Sequence, residues 1–140
     1  MDVTNPIIDV YIGIDTGRNT GIAIWSKSQK CFLKLETVKI HKALLYVLEY
    51  HNSKRFNLIR VRVEDARKRS GDKARAFGAG SVCRDASMWE DFLVDYAIPF
   101  ELVAPQSNMT KVDEKRFMQM TGLYVKSDHS RDAAMLVFNF

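Results

Sequence analysis

Glu64 closes an apolar stretch, Leu58-Ile59-Arg60-Val61-Arg62-Val63-Glu64, and the chain then runs at once into a basic one. Five of the ten residues from Ala66 to Arg75 are Lys or Arg (Arg67, Lys68, Arg69, Lys73 and Arg75). Carboxylates bind metal ions or move protons, whereas clustered cations neutralise phosphates. Side by side they point to chemistry on a polyanionic backbone, provided that partner acids exist elsewhere. Two candidates lie far off in sequence. Asp15 ends the alternating run Ile8–Asp15, and Asp132 belongs to Ser127-Asp128-His129-Ser130-Arg131-Asp132 near the C-terminus.

These residues need particular elements to position them. In Ile8–Asp15, Ile8, Val10, Ile12 and Ile14 share one face of a strand, with Asp9, Tyr11, Gly13 and Asp15 on the other. Gly17 to Thr20 reads as a turn, followed by strands over 21–25 and 30–38 that complete a meander. Leu44, Leu45, Val47 and Leu48 predict a helix over 41–51. A fourth strand covers 58–64, with Ile59, Val61 and Val63 on one face and Arg60, Arg62 and Glu64 on the other. Val82, Ala86, Trp89, Leu93 and Tyr96 predict a long helix over 79–96, and 99–104 a fifth strand. A helix over 111–120 follows, Thr110 and Asp113 resembling a capping box. Ser127 caps a final helix reaching the C-terminus, with Ala133, Leu136, Val137 and Phe140 on its buried face.

The order βββαβαβαα implies three antiparallel strands, then two parallel ones joined by right-handed crossovers. The expected fold is one α/β domain over residues 1–140, a mixed five-stranded sheet flanked by helices. If the first and fourth strands are parallel neighbours, Asp15 and Glu64 emerge at the same carboxyl edge, where α/β sheets bind ligands. Asp128, His129 and Asp132 fall on one side of the last helix. Hard oxygen donors with an imidazole suit Mg²⁺ or Mn²⁺. Two ions about 3.5–4 Å apart would clamp the attacking and leaving oxygens of a phosphoryl displacement.

Gly13-Ile14-Asp15-Thr16-Gly17 with Gly21, then Val63-Glu64, then His129-Ser130-Arg131-Asp132-Ala133-Ala134 together resemble the RuvC Holliday-junction resolvases of the RNase H-like, retroviral-integrase superfamily. The likeness spans roughly residues 8–137, and the shape resembles compact phage or prophage members. It implies a metal-dependent, structure-selective endonuclease, usually a homodimer, cleaving DNA at four-way junctions. Asp15, Glu64, His129 and Asp132 match the family's metal-binding catalytic positions, and Lys111 and Lys115 a region that carries lysines near the scissile phosphate. The basic stretch after Glu64 departs from the family, which often places apolar residues there.

Each residue also has an ordinary structural role open to it. Asp15 suits a cap on the Thr16-Gly17 turn, and Glu64 an ion pair with Arg62 or Arg67. Asp128 suits the first helical position, favoured by the helix dipole. His129 suits a solvent-facing position, and Asp132 a pair with Arg131 or Lys126. Asp65 is expected to face solvent, because strand alternation turns it away from Glu64. Phe77 either stacks on an unpaired base or staples the start of the long helix. Trp89 and Tyr96 are expected in the core or a dimer contact, the exposed side of that helix being the first candidate for the latter.

Composition narrows the classes further. No run of about 18 apolar residues exists, so no membrane helix is expected, and the N-terminus lacks a signal-peptide layout. Cys31 and Cys83 are isolated, which speaks against zinc or a disulfide framework and fits a reducing cytoplasm. Three rival readings stay open: a branched-DNA-binding module without cleavage, an RNA–DNA hybrid nuclease, and an actin- or sugar-kinase-like phosphate loop. The last needs a second domain to enclose a nucleotide.

Overall fold

In the computed structural model, residues 6–68, 79–105 and 111–140 are described. The alternation of the first strand carries through to packing. In β1 (Ile8–Asp15), Val10, Ile12 and Ile14 are fully buried on one face. β2 (Asn19–Ser26) and β3 (Cys31–Lys39) return as an antiparallel meander. α1 (Ile40–Asn52) crosses over to β4 (Phe56–Glu64), which lies parallel to β1. A 3₁₀ turn at Ala66–Lys68 follows, then α2 (Ala79–Asp95), β5 (Phe100–Val103), α3 (Glu114–Thr121) and α4 (Asp128–Met135). Strand order is β3-β2-β1-β4-β5, with β5 parallel to β4. This is the mixed sheet read from the sequence.

Each face of the sheet has its own core. On one, Ala43 and Val47 of α1 and Trp89 and Leu93 of α2 pack on Val10, Ile12, Ile14, Ile22, Ile24, Val61 and Val63. On the other, Phe117 of α3 and Ala133 and Ala134 of α4 pack on Ala23 and Trp25, with Leu136 and Val137 just past the helix. Small residues let α4 lie directly on the strands. A Cβ at Gly13 would collide with the Ala133 carbonyl, and one at Gly21 with the His129 carbonyl.

Several expectations are corrected. The register of β1 against β4 shifts at Val10/Tyr11, a bulge that leaves Ile59 without a partner. Leu58, not Ile59, therefore joins Val61 and Val63 in the core. In α1 the buried stripe centres on Ala43 and Val47, and Leu45 is exposed. Tyr96 lies beyond the end of α2 and is exposed, while Trp89 is fully buried. The third helix begins at Glu114, so Lys111 precedes it. Its cap is Asp113, whose side chain accepts from Arg116 N–H at 2.7 Å. Thr110 lies outside the described residues.

The last helix stops at Met135 instead of running to the C-terminus. Arg62 of β4 donates to the Leu136 carbonyl, drawing the chain out of helical course. Asn139 then takes a left-handed conformation (φ 64°), and the Phe140 ring lies 4.3 Å from the Arg62 guanidinium and edge-on to Tyr11. Phe140 therefore covers a guanidinium rather than entering the core. Among the described residues, no helix is long and apolar enough to cross a membrane.

Candidate active site

Asp15 and Glu64 are the last residues of two parallel neighbours, so both carboxylates stand at the carboxyl edge of the sheet centre. α4 brings its first turn to the same edge. Ser127 caps it, accepting from Ser130 N–H at 3.4 Å. Thr37 of β3 fixes the cap, its Oγ1 lying 2.5 Å from Ser127 Oγ and 2.7 Å from Ser130 Oγ. With the helix held down on Gly13 and Gly21, His129 Nδ1 reaches Asp15 Oδ2 at 2.9 Å. Asp132, one turn on, accepts from Lys111 Nζ at 2.9 Å. Asp128 points elsewhere: it is exposed and accepts from His129 N–H, so the imidazole is the α4 partner of Asp15.

All three acids are buried, with 7% of Asp15, 8% of Glu64 and 6% of Asp132 exposed. Burial pushes the Asp15 carboxyl up to about 6, and the charges of Asp132 and Glu64 push the same way against the His129 hydrogen bond. Lys111 shows the complementary effect. Burial alone would lower its ammonium, yet the hydrogen bond to Asp132 and the charges of Asp132, Glu64 and Asp15 hold it above the usual lysine range. The three carboxylates therefore act on one another and on Lys111 through their charges.

Oxygen donors with one imidazole, on an edge where burial and then neighbouring charge raise the Asp15 carboxyl, have the chemistry that a hard divalent cation relieves. Their present spacing is that of an acid edge rather than a closed cage. Among the described residues, no three His, Cys, Asp or Glu side chains stand close enough to share one ion.

Asp65, expected in solvent, is 2% exposed. Its N–H continues the parallel ladder to Val103 O, and the 3₁₀ turn swings Arg67 back over it. Arg67 grips both Asp65 oxygens at 2.8 and 2.9 Å and also reaches Glu90 at 2.9 Å and Ser87 at 3.1 Å. Arg67 thus ties the 3₁₀ turn to α2 rather than reaching outward. Lys68 donates to Leu102 O at 2.8 Å and remains on the surface. Lys115 is exposed on α3. Arg69, Lys73, Arg75 and Phe77 lie outside the described residues.

Sequence reasoning missed Thr37 and Arg131. A threonine in an alternating strand carries no signal. Arg131 was legible only as a possible partner of Asp132. In the fold it is buried and donates to three backbone carbonyls, those of Val112 (2.9 Å), Val125 and Lys126 (both 2.8 Å).

No sequence profile of a known family matches the chain, and no curated protein matches it in sequence. Solved structures do. Thermus thermophilus RuvC matches with a TM-score of 0.59 and 16% identity, over 93% of this chain and 92% of that one. T. thermophilus RuvC in complex with a Holliday junction substrate matches with the same score and identity, over 93% and 91%. The likeness establishes the fold alone: the chain has the RuvC-like, RNase H-like α/β fold.

Proposed function

We propose that the chain is a metal-dependent endonuclease that hydrolyses backbone phosphodiesters of branched DNA, four-way junctions foremost. What supports this reading is that Asp15, in contact with His129, feels the charges of Glu64 and Asp132 at one edge of a fold like that of RuvC, one structure of which holds a Holliday junction. Fold alone would not suffice, since one fold hosts many functions.

Asp15, Glu64, Asp132 and His129 would hold Mg²⁺ or Mn²⁺, two ions in this reading, which supply an activated water and charge neutralisation at the phosphate. His129 orients Asp15, and Lys111 balances Asp132 while presenting an ammonium to an incoming phosphate. Lys68, Lys115 and the sequence run containing Arg69, Lys73 and Arg75 supply further phosphate contacts, so binding weakens steeply with salt. Phe77 supplies a ring for an unpaired base at the branch point.

The test is incubation of a synthetic four-way junction with Mg²⁺ or Mn²⁺, beside flap, duplex and RNA–DNA hybrid substrates. Cleavage of the junction that Asp15→Asn abolishes is the expected result. Preference for the hybrid would make it an RNase H-type enzyme, and tight binding without scission an inactive DNA-binding module.

A homodimer belongs to the same reading. The outward stripe of α2, with Arg84, Met88, Asp91 and Phe92, borders a groove of about 450 Å³ that Tyr96, just past the helix, also lines. Two such helices packed antiparallel about Ser87 and Met88 would set Arg84 opposite Asp91 of the second copy. Arg84→Glu should convert a sedimenting dimer to monomer, and adding Asp91→Arg should restore it. A wild-type monomer at tens of micromolar would refute the dimer.

A further inference from the structure

We propose that Arg131 is a positioning residue of this site: by clamping three backbone carbonyls it seats Lys111 on Asp132. The proposal rests on the nuclease reading only for what Lys111 does, not for how it is held.

Among the described arginines Arg131 is the buried one, and it is held differently from those that form ion pairs. Arg60 and Arg62 pair with Glu101, and Arg67 pairs with Asp65 and Glu90. Arg131, 8% exposed, has no carboxylate within ion-pair distance among the described residues. Its Nε donates to Val112 O, and one terminal nitrogen donates to both Val125 O and Lys126 O. A buried cation on carbonyls alone forgoes the strongest partner a guanidinium can have. What it gains is geometry, because a planar fork fixes several acceptors at once.

Those acceptors are in two places. Val125 and Lys126 lie just before the Ser127 cap, so Arg131 folds the lead-in chain back onto α4. Val112 lies in the segment ahead of α3 and is covalently next to Lys111. Two adjacent residues of α4, Arg131 and Asp132, thus hold two adjacent residues of that segment, Val112 by its carbonyl and Lys111 by its ammonium. Lysine has a long, flexible stem, and fixing its backbone one residue away reduces the entropy lost when its head settles on Asp132. Without the clamp, the Lys111 head would swing away from Asp132 and leave that carboxylate bare.

The experiment compares acylation of Lys111 by an amine-reactive ester, read by mass spectrometry, in wild type, Asp132→Asn, Arg131→Gln and Arg131→Lys. Melting temperatures are recorded beside it. Asp132→Asn should label Lys111 several-fold faster than wild type, and Arg131→Gln should match it. Arg131→Lys, a point charge unable to span three carbonyls, should fall between. It carries the comparison if Arg131→Gln does not fold. Labelling at the wild-type rate in a folded Arg131 variant would overturn the proposal.

Junction cleavage adds a readout that a general packing defect would not produce. Arg131→Gln on a Lys111→Ala background should cost no more than Lys111→Ala alone, and losses that multiply would also count against the clamp. If wild type cleaves no branched DNA, the nuclease reading fails while the labelling rates still decide the role of Arg131.

Discussion

Two buried aspartates sit at the same end of this sheet, and the fold treats them in opposite ways. Asp15 is 7% exposed and its carboxyl is pushed up to about 6 by burial, with Asp132 and Glu64 adding to the rise. Asp65 is 2% exposed, yet its carboxyl is held below the usual range. Burial there is outweighed by the hydrogen bonds and charge of Arg67, itself raised by Asp65 and Glu90. Burial does not separate the two, and position does not either, since Asp65 adjoins Glu64 in the chain. The difference lies in the partners. The Asp65–Arg67–Glu90 network holds its carboxylate charged, whereas burial and the neighbouring charges of Asp132 and Glu64 act against the charge of Asp15. A structural ion pair pulls a carboxyl down, whereas a carboxyl crowded by like charge and burial is pushed up, as at sites that handle charged ligands.

The contrast breaks most readily at Asp15. Asp15→Asn should lower metal-dependent junction cleavage by on the order of 10³-fold, about 4 kcal/mol on the barrier, while the protein stays folded. Retained cleavage would erase the distinction between the two aspartates.

The second difference is one of sign with pH. Asp15 binds its proton more tightly folded than unfolded, so ionising it opposes folding. That penalty is absent below about pH 4, grows as pH rises towards 6 and is complete above it, reaching about 3 kcal/mol. Asp65 acts oppositely, with stability present above the ordinary aspartate range and lost as pH falls below it. Denaturant melts in chelator should therefore show wild type losing stability relative to Asp15→Asn between pH 4 and 6. Mn²⁺ at about 100 times its Kd should return about 2.7 kcal/mol at pH 7 to wild type only. Parallel pH curves for the two proteins would contradict this.

The smallest effect sharpens the other side of the comparison. Asp65→Asn leaves Arg67, which is 30% exposed, with a weakened partner, and should cost about 1–3 kcal/mol of stability. Cleavage per folded molecule should be unchanged. A specific loss of turnover would move Asp65 into the site.

The sheet was legible because its evidence is local. Alternation in Ile8–Asp15, helical spacing at Ala86, Trp89 and Leu93, and capping chemistry at Ser127 depend on neighbours a few residues away. Two misreadings arose where a distant residue intervened, and a third where the strand had ended. Leu58 replaces Ile59 in the core because β4 bulges against β1. Phe140 leaves the helix because Arg62, 78 positions earlier, captures the Leu136 carbonyl. Asp65 is buried because the chain turns back after it, and period-two reasoning fails once the strand has ended.

The candidate site divides along the same line. The sequence by itself determined which residues end strands one and four, which cap begins the last helix, and that Asp15, Glu64, His129 and Asp132 have the right chemistry to meet. It also supplied Gly13 and Gly21, the gaps into which α4 settles. Only the tertiary structure decided that His129 rather than Asp128 faces Asp15, that Lys111 sits on Asp132, and that Arg67 and Arg131 are spoken for. Side-chain type and period are written along the chain. The partner of a buried charge is whatever group the packed backbone brings within about 3 Å, and that distance exists only after folding.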